Sequence, residues 1–476
     1  MNYVAAGQTD AVAAFNRVYD SSGQVAADNG VSKTATYSYD YAGRLISSQQ
    51  TVDGSCRVHN YTFDKDSNRT NLQTLTNGDG SCPADATSAT TVTNSPSHSF
   101  DTGDRMFLAG AGIANNYVYD DLGNTTTLPN IDTANTAGDV TLAYQPDSQV
   151  KSISQAGIVK TFTQDPLGRN VATVETSTGS PTVTTVNYFD DASDSPAWSV
   201  DSGLKWTRNI SDLAGGLSVL SSGTASSTAA TSTKTLTSSS VQLTDMHGDV
   251  VTTMETTAGA NTPTSTSAFD EYGVIVGSPT PTPTTYGWLG SRQRGTASNG
   301  LILMGVRLYN PTTGRFLQAD PVPGGTPAPF AYPVDPILGY DVSGCEDCES
   351  IANTLRKLLA ELSTRYRELR EDKNGLAMIG ENSIEGHRTK YHEKQNRLRK
   401  FVIKYLDNNC GGPGGGMRLI QQANQRLATK APYPQHMDKP HVWTKIHVPT
   451  VTGTIVNGVA TVGVVLVAIV FSPVAA

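Results

Sequence analysis

The chain has 476 residues, of which 37% are hydrophobic, 44 are glycine and 24 are proline. This length predicts more than one domain, and the low hydrophobic content with abundant Gly, Ser and Thr argues against a compact α/β enzyme. Residues 351–476 carry 18 Lys and Arg against 9 Asp and Glu, whereas residues 1–350 carry 17 against 34, an asymmetry that indicates two segments with different roles.

The N-terminal stretch MNYVAAGQTDAVAAFN has neither the basic start nor the apolar run of a signal peptide. The pattern of these residues resembles the middle of a repeat rather than its start. We therefore expect a chain that lacks its N-terminal shell or translocation module.

An aromatic-x-aromatic-Asp phrase recurs along the first half of the chain, each time followed by turn residues and an alternating run. The copies include VYDSSGQVA, YSYDYAGRLIS, YTFDKDSNRTNL, HSFDTGDRMFL and YVYDDLGNTTTL. Alternation places both aromatic rings on one face of a strand, Asp caps the turn, and Gly takes the positive-φ position. One hairpin cannot bury its face alone, so the copies predict a stacked antiparallel sheet. The alternative, catalytic or calcium-binding Asp residues, is disfavoured by their repeated turn position.

Two cysteines lie in matching DGSC turns of this region. They are Cys56, in residues 53–56, and Cys82, in residues 79–82. This pattern predicts a disulfide between neighbouring hairpins, as expected outside the cytosol. The alternative is a pair of free turn thiols.

The repeats resemble the RHS/YD-repeat family over residues 15–344. LTDMHGDVVTT and SAFDEYGVIV resemble the strands that precede the core segment of that family. The resemblance implies a mainly β fold, in which an antiparallel β-sheet spirals into a partial hollow shell over residues 1–285. His247 in the first phrase is expected to be a structural, hydrogen-bonding residue rather than a catalytic one.

Residues 286–344, called the core segment below, are the most specific part of the chain. YGWLGSRQRGTASNGLILMGVRLYNPTTGRFLQADPVPGG is similar to the RHS-associated core, and PVDPILGYDVSG supplies a second Asp-Pro phrase. Family members carry unrelated C-terminal domains behind this segment, many of them toxins. The resemblance implies a carrier shell for a variable effector, in interbacterial competition or as a secreted or surface toxin. The alternative is a non-enzymatic surface scaffold for contact or carbohydrate binding.

Family members commonly cut themselves at this junction, which implies an aspartyl-type autoprotease. One carboxylic acid would protonate the leaving group while a carboxylate activates water. By resemblance Asp320 is the first candidate, and Arg307 orients it. A related insecticidal-toxin branch has a second Asp where this chain has Leu308, so Asp335 would have to take that role. The alternative is that Asp320 and Asp335 only form turns before Pro.

The expected cut lies within Leu338, Gly339, Tyr340 and Asp341. The usual phrase is Asp-Pro-x-Gly-Leu, cut after Leu, but the stretch from Asp335 has one extra residue before Gly339. Cleavage after Leu338 and cleavage after Tyr340 both remain open.

Residues 345–450 predict a small basic α-helical domain. Its two apolar stripes have helical spacing; they comprise Ile351, Leu355, Leu358, Leu362, Tyr366 and Leu369, then Ile384, Tyr391, Leu398 and Tyr405. Together they predict a helical hairpin. No catalytic motif is recognisable in this domain.

The cysteines and histidines of this part form no clear metal motif. Cys345 and Cys348, with Cys410, are compatible with a local disulfide, a partial metal site or inert thiols. His387 and His392 are about 140° apart on a helix and do not easily share an ion. The last three histidines, His436, His441 and His447, are irregularly spaced. We therefore predict no metal and no cofactor.

The final residues, 451–476, form a hydrophobic tail without charged side chains. As a helix, 451–471 would be about 31 Å long, enough for a bilayer core of about 30 Å. Membrane contact and a buried strand are both open. The expected partners are an immunity protein for the C-terminal domain and that membrane, with no nucleic acid, and the expected location is secreted or cell surface.

Overall fold

The computed structural model describes residues 2–4, 11–108, 116–191, 193–212, 216–256, 262–280, 285–297, 299–321, 328–344, 348–371, 384–407 and 416–432. Within them, antiparallel strands extend to residue 316 and α-helices begin at residue 348. This arrangement confirms the predicted mainly β fold followed by a small helical part.

The first large sheet has seven strands among the described residues, in sequence order. They are Asn16–Tyr19 (β3), Val25–Asn29 (β4), Thr34–Tyr39 (β5), Leu45–Val52 (β6), Ser55–Phe63 (β7), Arg69–Thr76 (β8) and Thr91–Asn94 (β9). Two small pairs flank it: Asn2–Val4 (β1) with Ala11–Ala14 (β2), and His98–Phe100 (β10) with Met106–Leu108 (β11). Period-two burial is clear in β5, where Ala35 and Tyr37 are buried and their neighbours are exposed.

The second large sheet has fourteen strands in the described part of the chain, again in sequence order. They are Val118–Tyr119 (β12), Thr125–Leu128 (β13), Val140–Tyr144 (β14), Val150–Gln155 (β15), Ile158–Gln164 (β16), Asn170–Ser177 (β17), Val183–Tyr188 (β18), Trp198–Asp201 (β19), Lys205–Ser211 (β20), Leu217–Ala225 (β21), Lys234–Thr244 (β22), Val250–Glu255 (β23), Ser265–Phe269 (β24) and Ile275–Thr280 (β25). Each neighbouring pair is antiparallel, as a series of hairpins requires.

The repeated Asp residues occupy equivalent turns. In the turn after β5, Asp40 Oδ1 accepts the N–H groups of Ala42 and Arg44 at 2.9 and 3.0 Å. Gly43 has φ +78°, which L side chains rarely adopt. The same carboxylate contacts recur at Asp20, Asp64, Asp101, Asp120, Asp165 and Asp270. These carboxylates therefore satisfy turn N–H groups.

The core segment packs against both large sheets. It contains Ile302–Met304 (β26), Arg307–Asn310 (β27) and Arg315–Phe316 (β28). The ring centroids of Tyr309 and Tyr332 are 4.7 Å apart, in a buried cluster with Leu45 and Tyr61 of the first sheet. Leu308 instead packs with residues of β13 to β15. Three strand-start N–H groups donate to core-segment carbonyls: Leu45 to Val334, Thr125 to Leu317 and Val250 to Gly287, at 3.0, 2.8 and 2.9 Å.

The helices are Cys348–Glu371 (α1), Ile384–Asp407 (α2) and Gly416–Ala428 (α3). Both predicted apolar stripes lie on helices, α1 and α2. The third helix, α3, was not predicted, because the Gly-rich run before it indicated that the helical region ended there. The described apolar residues of all three helices share one buried cluster, in which Leu355, Leu362 and Tyr391 are fully buried. None of the described helices is long and apolar enough to cross a membrane.

Several predicted features lie outside the described residues. They are Cys345, Cys410, His436, His441, His447 and the tail, 451–476. Of the two helical histidines, His387 Nδ1 lies 2.8 Å from Arg365 Nη1, and His392 Nδ1 lies 3.2 Å from Gln395 Oε1. The two rings therefore face different partners.

Candidate functional site

Arg307 is the first residue of strand β27, in the buried part of the core segment. All four residues of β27 are buried, and the strand is hydrogen-bonded to β26 and β28. The preceding turn needs Gly305, because a Cβ there would lie 2.1 Å from the carbonyl oxygen of Ser343. The N–H of Val306 donates to that same oxygen at 3.1 Å. The turn thus holds the last residues of the core segment against Arg307.

The guanidinium of Arg307 contacts two carboxylates at once. Its Nη2 donates to Asp320 Oδ2 at 3.2 Å and to Asp341 Oδ2 at 2.8 Å. The three side chains are 1%, 3% and 1% exposed. The other nitrogen, Nη1, donates to the carbonyl of Pro329, and the ring of Phe316 lies 3.8 Å from Cζ. The site is therefore a buried pair of carboxylates on one cation.

Burial of the site affects the protonation of Asp341. Burial raises the pKa of Asp341, and the charge and hydrogen bond of Arg307 oppose that rise only in part. Ionising both carboxylates would leave a buried net charge of −1, which low dielectric disfavours. A proton on Asp341 would relieve this buried negative charge.

The last described residues of the core segment, which precede the helical part, contact Asp341. Asp341 Oδ1 accepts the N–H of Gly344 at 2.9 Å and the hydroxyl of Ser343 at 3.2 Å. Gly344 has φ +64°, and a Cβ there would lie 2.4 Å from the carbonyl oxygen of Met304. The peptide groups just before residue 345 are consequently held beside Asp341.

Among the described residues Arg307 contacts Asp320 and Asp341 but not Asp335, and the expected pairing of Asp320 with Asp335 stays a prediction. Asp335 Oδ1 accepts the N–H groups of Ile337 and Leu338 at 3.1 and 3.3 Å, and its carbonyl accepts that of Gly339. Burial raises the pKa of Asp335 to about 6, although those N–H groups favour the charged form. Asp335 thus shapes a turn, as the alternative interpretation held for this residue.

The other residues of the expected cleavage region lie in and after that turn. Leu338 is 42% exposed, whereas Tyr340 is buried against the ring of His247, with centroids 6.2 Å apart. Arg292 Nη2 donates to the Tyr340 hydroxyl at 3.1 Å. His247 Nδ1 lies 2.9 Å from Asp249 Oδ1, in keeping with a structural role.

Sequence reasoning placed Asp341 in the expected cut region but did not foresee its contact with Arg307. Residues 341–344 read Asp-Val-Ser-Gly, which has the Asp-x-x-Gly spacing of the Asp-Pro-x-Gly-Leu phrase. Val342 in the proline position concealed this match, and the Asp335-Pro336 step attracted the assignment instead.

A cavity of about 410 Å³ lies beside the site. Gly305, Val306 and Leu308 form part of its wall, and the rest is contributed mainly by side chains of β15 to β20. Leu308 itself is 1% exposed and brings no proton-transfer group. The cavity can admit water next to the turn that holds Ser343.

The two cysteines of the first sheet are joined in the structure. Cys56 and Cys82 form a disulfide with their Cα atoms 4.9 Å apart. The N–H of Cys56 also donates to the carbonyl of Gly80 at 2.9 Å, so the two DGSC turns lie side by side.

Comparison with known proteins gives matches among solved structures only. No protein-family model matches the chain, and no curated protein matches it. The TcdB2-TccC3-Cdc42 crystal structure has a TM-score of 0.54 at 14% identity, and TcdB2-TccC3 without its hypervariable C-terminal region has a TM-score of 0.55 at 14% identity. The Photorhabdus luminescens Tc holotoxin pore, with a substituted TccC3, also matches at 0.54 and 14%.

Each of these matches covers 71% of this chain and 17% of the matched chain. This chain therefore spans about a sixth of the length of the toxin chains that it resembles. At this identity the similarity shows the fold alone, which is an RHS-like antiparallel β-shell.

Proposed function

We propose that the chain is a β-shell carrier that cuts itself at the end of its core segment and so releases its basic helical part. The observation that carries this proposal is the buried pair Asp320 and Asp341 on Arg307, at the point where the chain leaves the core segment. A turn-forming role alone does not account for two carboxylates that compete for one buried cation.

The chemistry follows from the two protonation states. One carboxylate takes a proton from water, and the resulting hydroxide attacks the carbonyl carbon of the scissile peptide. The protonated partner gives its proton to the departing nitrogen, the C–N bond breaks, and a new carboxyl group and amine form. Arg307 keeps the carboxylate pair in place and limits its net charge.

We place the cut just after Cys345 rather than after Leu338 or Tyr340. Asp341 already holds the Gly344 N–H, and Leu338 lies in the Asp335 turn. By resemblance to Asp-Pro-x-Gly-Leu, the position of the final Leu falls on Cys345. We therefore propose the bond between Cys345 and Glu346.

The test is self-processing of the purified 476-residue chain, measured by denaturing electrophoresis, intact mass and N-terminal sequencing. We expect two fragments, the second beginning at Glu346. Asp320→Asn and Asp341→Asn should each reduce cleavage at least about a hundredfold, because an amide keeps the shape but carries no titratable proton. Asp335→Asn is the matched control and should be cut as fast as the wild type.

An intact wild-type chain would contradict this function and favour the surface-scaffold alternative. Equal cleavage of the Asp341→Asn variant would remove Asp341 from the mechanism. A cut after Leu338 or Tyr340 would keep the reaction but move its site.

The proposed setting is outside the cytosol, at the surface or in the secreted pool. The Cys56–Cys82 disulfide supports this setting, since such bonds persist in oxidising compartments. An immunity protein for the helical part and membrane contact through 451–471 belong to the same proposal.

A further inference from the structure

A second buried cluster of ionisable side chains lies between the two large sheets, apart from the Arg307 site. It consists of His59 on β7 together with Asp270 and Glu271, from the turn between β24 and β25. All three residues are buried, and one potential metal-ligating atom from each lies within 4.8 Å of the others. The cluster thus joins parts of the chain that are 212 residues apart.

The spacing of the ligand atoms suits a shared ion. His59 Nδ1 lies 3.2 Å from Glu271 Oε2, and the hydroxyl of Tyr61 donates to the same oxygen at 2.6 Å. Two atoms about 2.1 Å from a tetrahedral ion are about 3.4 Å apart, so His59 and Glu271 can bind one ion with little movement.

Among the described residues, His59 is the one basic side chain paired with these two carboxylates. No described lysine or arginine lies within 4.0 Å of either carboxylate, and the ammonium of Lys33 donates instead to the carbonyl of Phe269 at 2.7 Å. Two buried carboxylates that share one imidazole are costly to ionise together, and a bound divalent ion would offset that cost.

Two unsatisfied polar atoms on β6 give independent support. Gln50 is fully buried and its Nε2 donates to Glu271 Oε1, yet its own Oε1 has no hydrogen-bond partner among the described residues. Ser48, which faces His59 across the β6–β7 pair, likewise has an unpartnered buried hydroxyl. A buried polar atom left without a partner destabilises the fold unless a ligand or water satisfies it.

We propose that His59, Asp270 and Glu271 bind a divalent transition-metal ion of the Zn²⁺ type, with the side-chain oxygen of Gln50 as the fourth ligand. One imidazole nitrogen and carboxylate oxygens are a ligand set that Zn²⁺ accepts, and closed four-ligand sites are structural. The ion ties the first sheet to the end of the second sheet, and it takes no part in self-cleavage.

The test uses the full 476-residue chain, freed of metal by chelation and dialysis. Zn²⁺ uptake is measured by mass spectrometry, and Co²⁺ is used as a spectroscopic probe. The wild type should take up about one tightly held Zn²⁺ at this site and give the visible spectrum of tetrahedral Co²⁺ with nitrogen and oxygen ligands. Glu271→Gln and His59→Asn should each weaken Zn²⁺ affinity at least about tenfold, and the thermal midpoint of these variants should no longer respond to Zn²⁺.

His98→Asn is the matched control. His98 Nε2 lies 2.9 Å from Asp132 Oδ2, and Tyr117 donates to that oxygen at 2.6 Å, so it copies the His–carboxylate–Tyr arrangement of His59 without a second acid. This variant should bind Zn²⁺ like the wild type.

Three outcomes would overturn the proposal. The wild type could take up less than about 0.2 equivalents of Zn²⁺. Alternatively, folded Glu271→Gln protein could bind as tightly as the wild type, or the Co²⁺ spectrum could show thiolate ligands, which this cluster lacks. If both ligand variants fail to fold, the wild-type uptake and the cobalt spectrum decide the question.

Discussion

Asp335 and Asp341 are close in sequence, but their neighbours give them different chemistry. Asp341 shares the buried guanidinium of Arg307 with Asp320, whereas Asp335 is bonded to turn N–H groups and has its pKa raised to about 6 by burial. A carboxyl group without a paired cation is costly to ionise in such a place. Asp335 should therefore act on stability rather than on cleavage.

Asp335→Asn tests that role through the pH dependence of stability. The folded-state pKa lies above the unfolded value of about 3.9, so the folded state binds the proton more tightly, and stability falls as pH rises from about 4 to about 6. The amide stays neutral, and at pH 8 the variant should be more stable than the wild type by about 1–2 kcal/mol. Near pH 4 the difference should disappear. Urea unfolding at both pH values measures it.

The exposed Asp121 supplies the control, since Asp121→Asn should leave the pH profile of stability unchanged. Identical unfolding of the wild type and Asp335→Asn at pH 8 would contradict the assignment.

At the scale of one element, the repeated turn depends on its carboxylate. Asp40 accepts two turn N–H groups and the Nε of Arg44, the last at 2.7 Å. Burial opposes ionisation, but the hydrogen bonds and charge of Arg44 hold the pKa of Asp40 below its usual value. This contribution is therefore present above the unfolded pKa and is lost as pH falls through the folded one.

Asp40→Ala should lower the free energy of unfolding by about 1–2 kcal/mol at pH 7, because the turn N–H groups lose their acceptor. The loss should shrink as pH falls through the folded-state pKa of Asp40, because the wild-type carboxylate then becomes protonated as well. Chemical unfolding monitored by far-UV circular dichroism measures both effects. Tyr41→Ala is the control, since the neighbouring ring is fully exposed and its removal should change stability by less than about 0.5 kcal/mol. A loss in Tyr41→Ala equal to that in Asp40→Ala would show that the turn sequence, not the cap, is responsible.

At the scale of the molecule, the helical part has its own core. Among the described residues, the buried cluster of Leu355, Leu362, Tyr391 and their neighbours is formed by residues between 351 and 431. A unit with a separate core can fold alone. A released effector has to keep its structure after cleavage, so this property matters for the proposed function.

Residues 346–476 expressed alone should give a helical circular dichroism spectrum and a cooperative thermal transition. Leu355→Asp should abolish that transition, because the buried acid and the lost leucine packing together cost an amount comparable to the net stability of a small domain. Ala360→Asp places the same charge on an exposed position of α1 and should keep it. A non-cooperative wild-type fragment would mean that the helices depend on the β-shell.

The sequence by itself determined the hairpin repeat, the first two helices and the pairing of Cys56 with Cys82. These features follow from local rules, since an Asp-capped turn and a helical stripe involve residues only a few positions apart. Helix α3 was not predicted because the Gly-rich run before it was interpreted as the end of the helical region.

Only the tertiary structure decided which carboxylates meet. Arg307 and Asp341 are 34 residues apart, and His59 and Glu271 are 212 apart. Such contacts depend on how the sheets close around the core segment, and each Asp-x-x-Gly or Asp-Pro phrase looks like a turn until its neighbours are placed. Burial raises the pKa of both Asp335 and Asp341. The two residues differ because Arg307 lies beside Asp341 and favours its charged form.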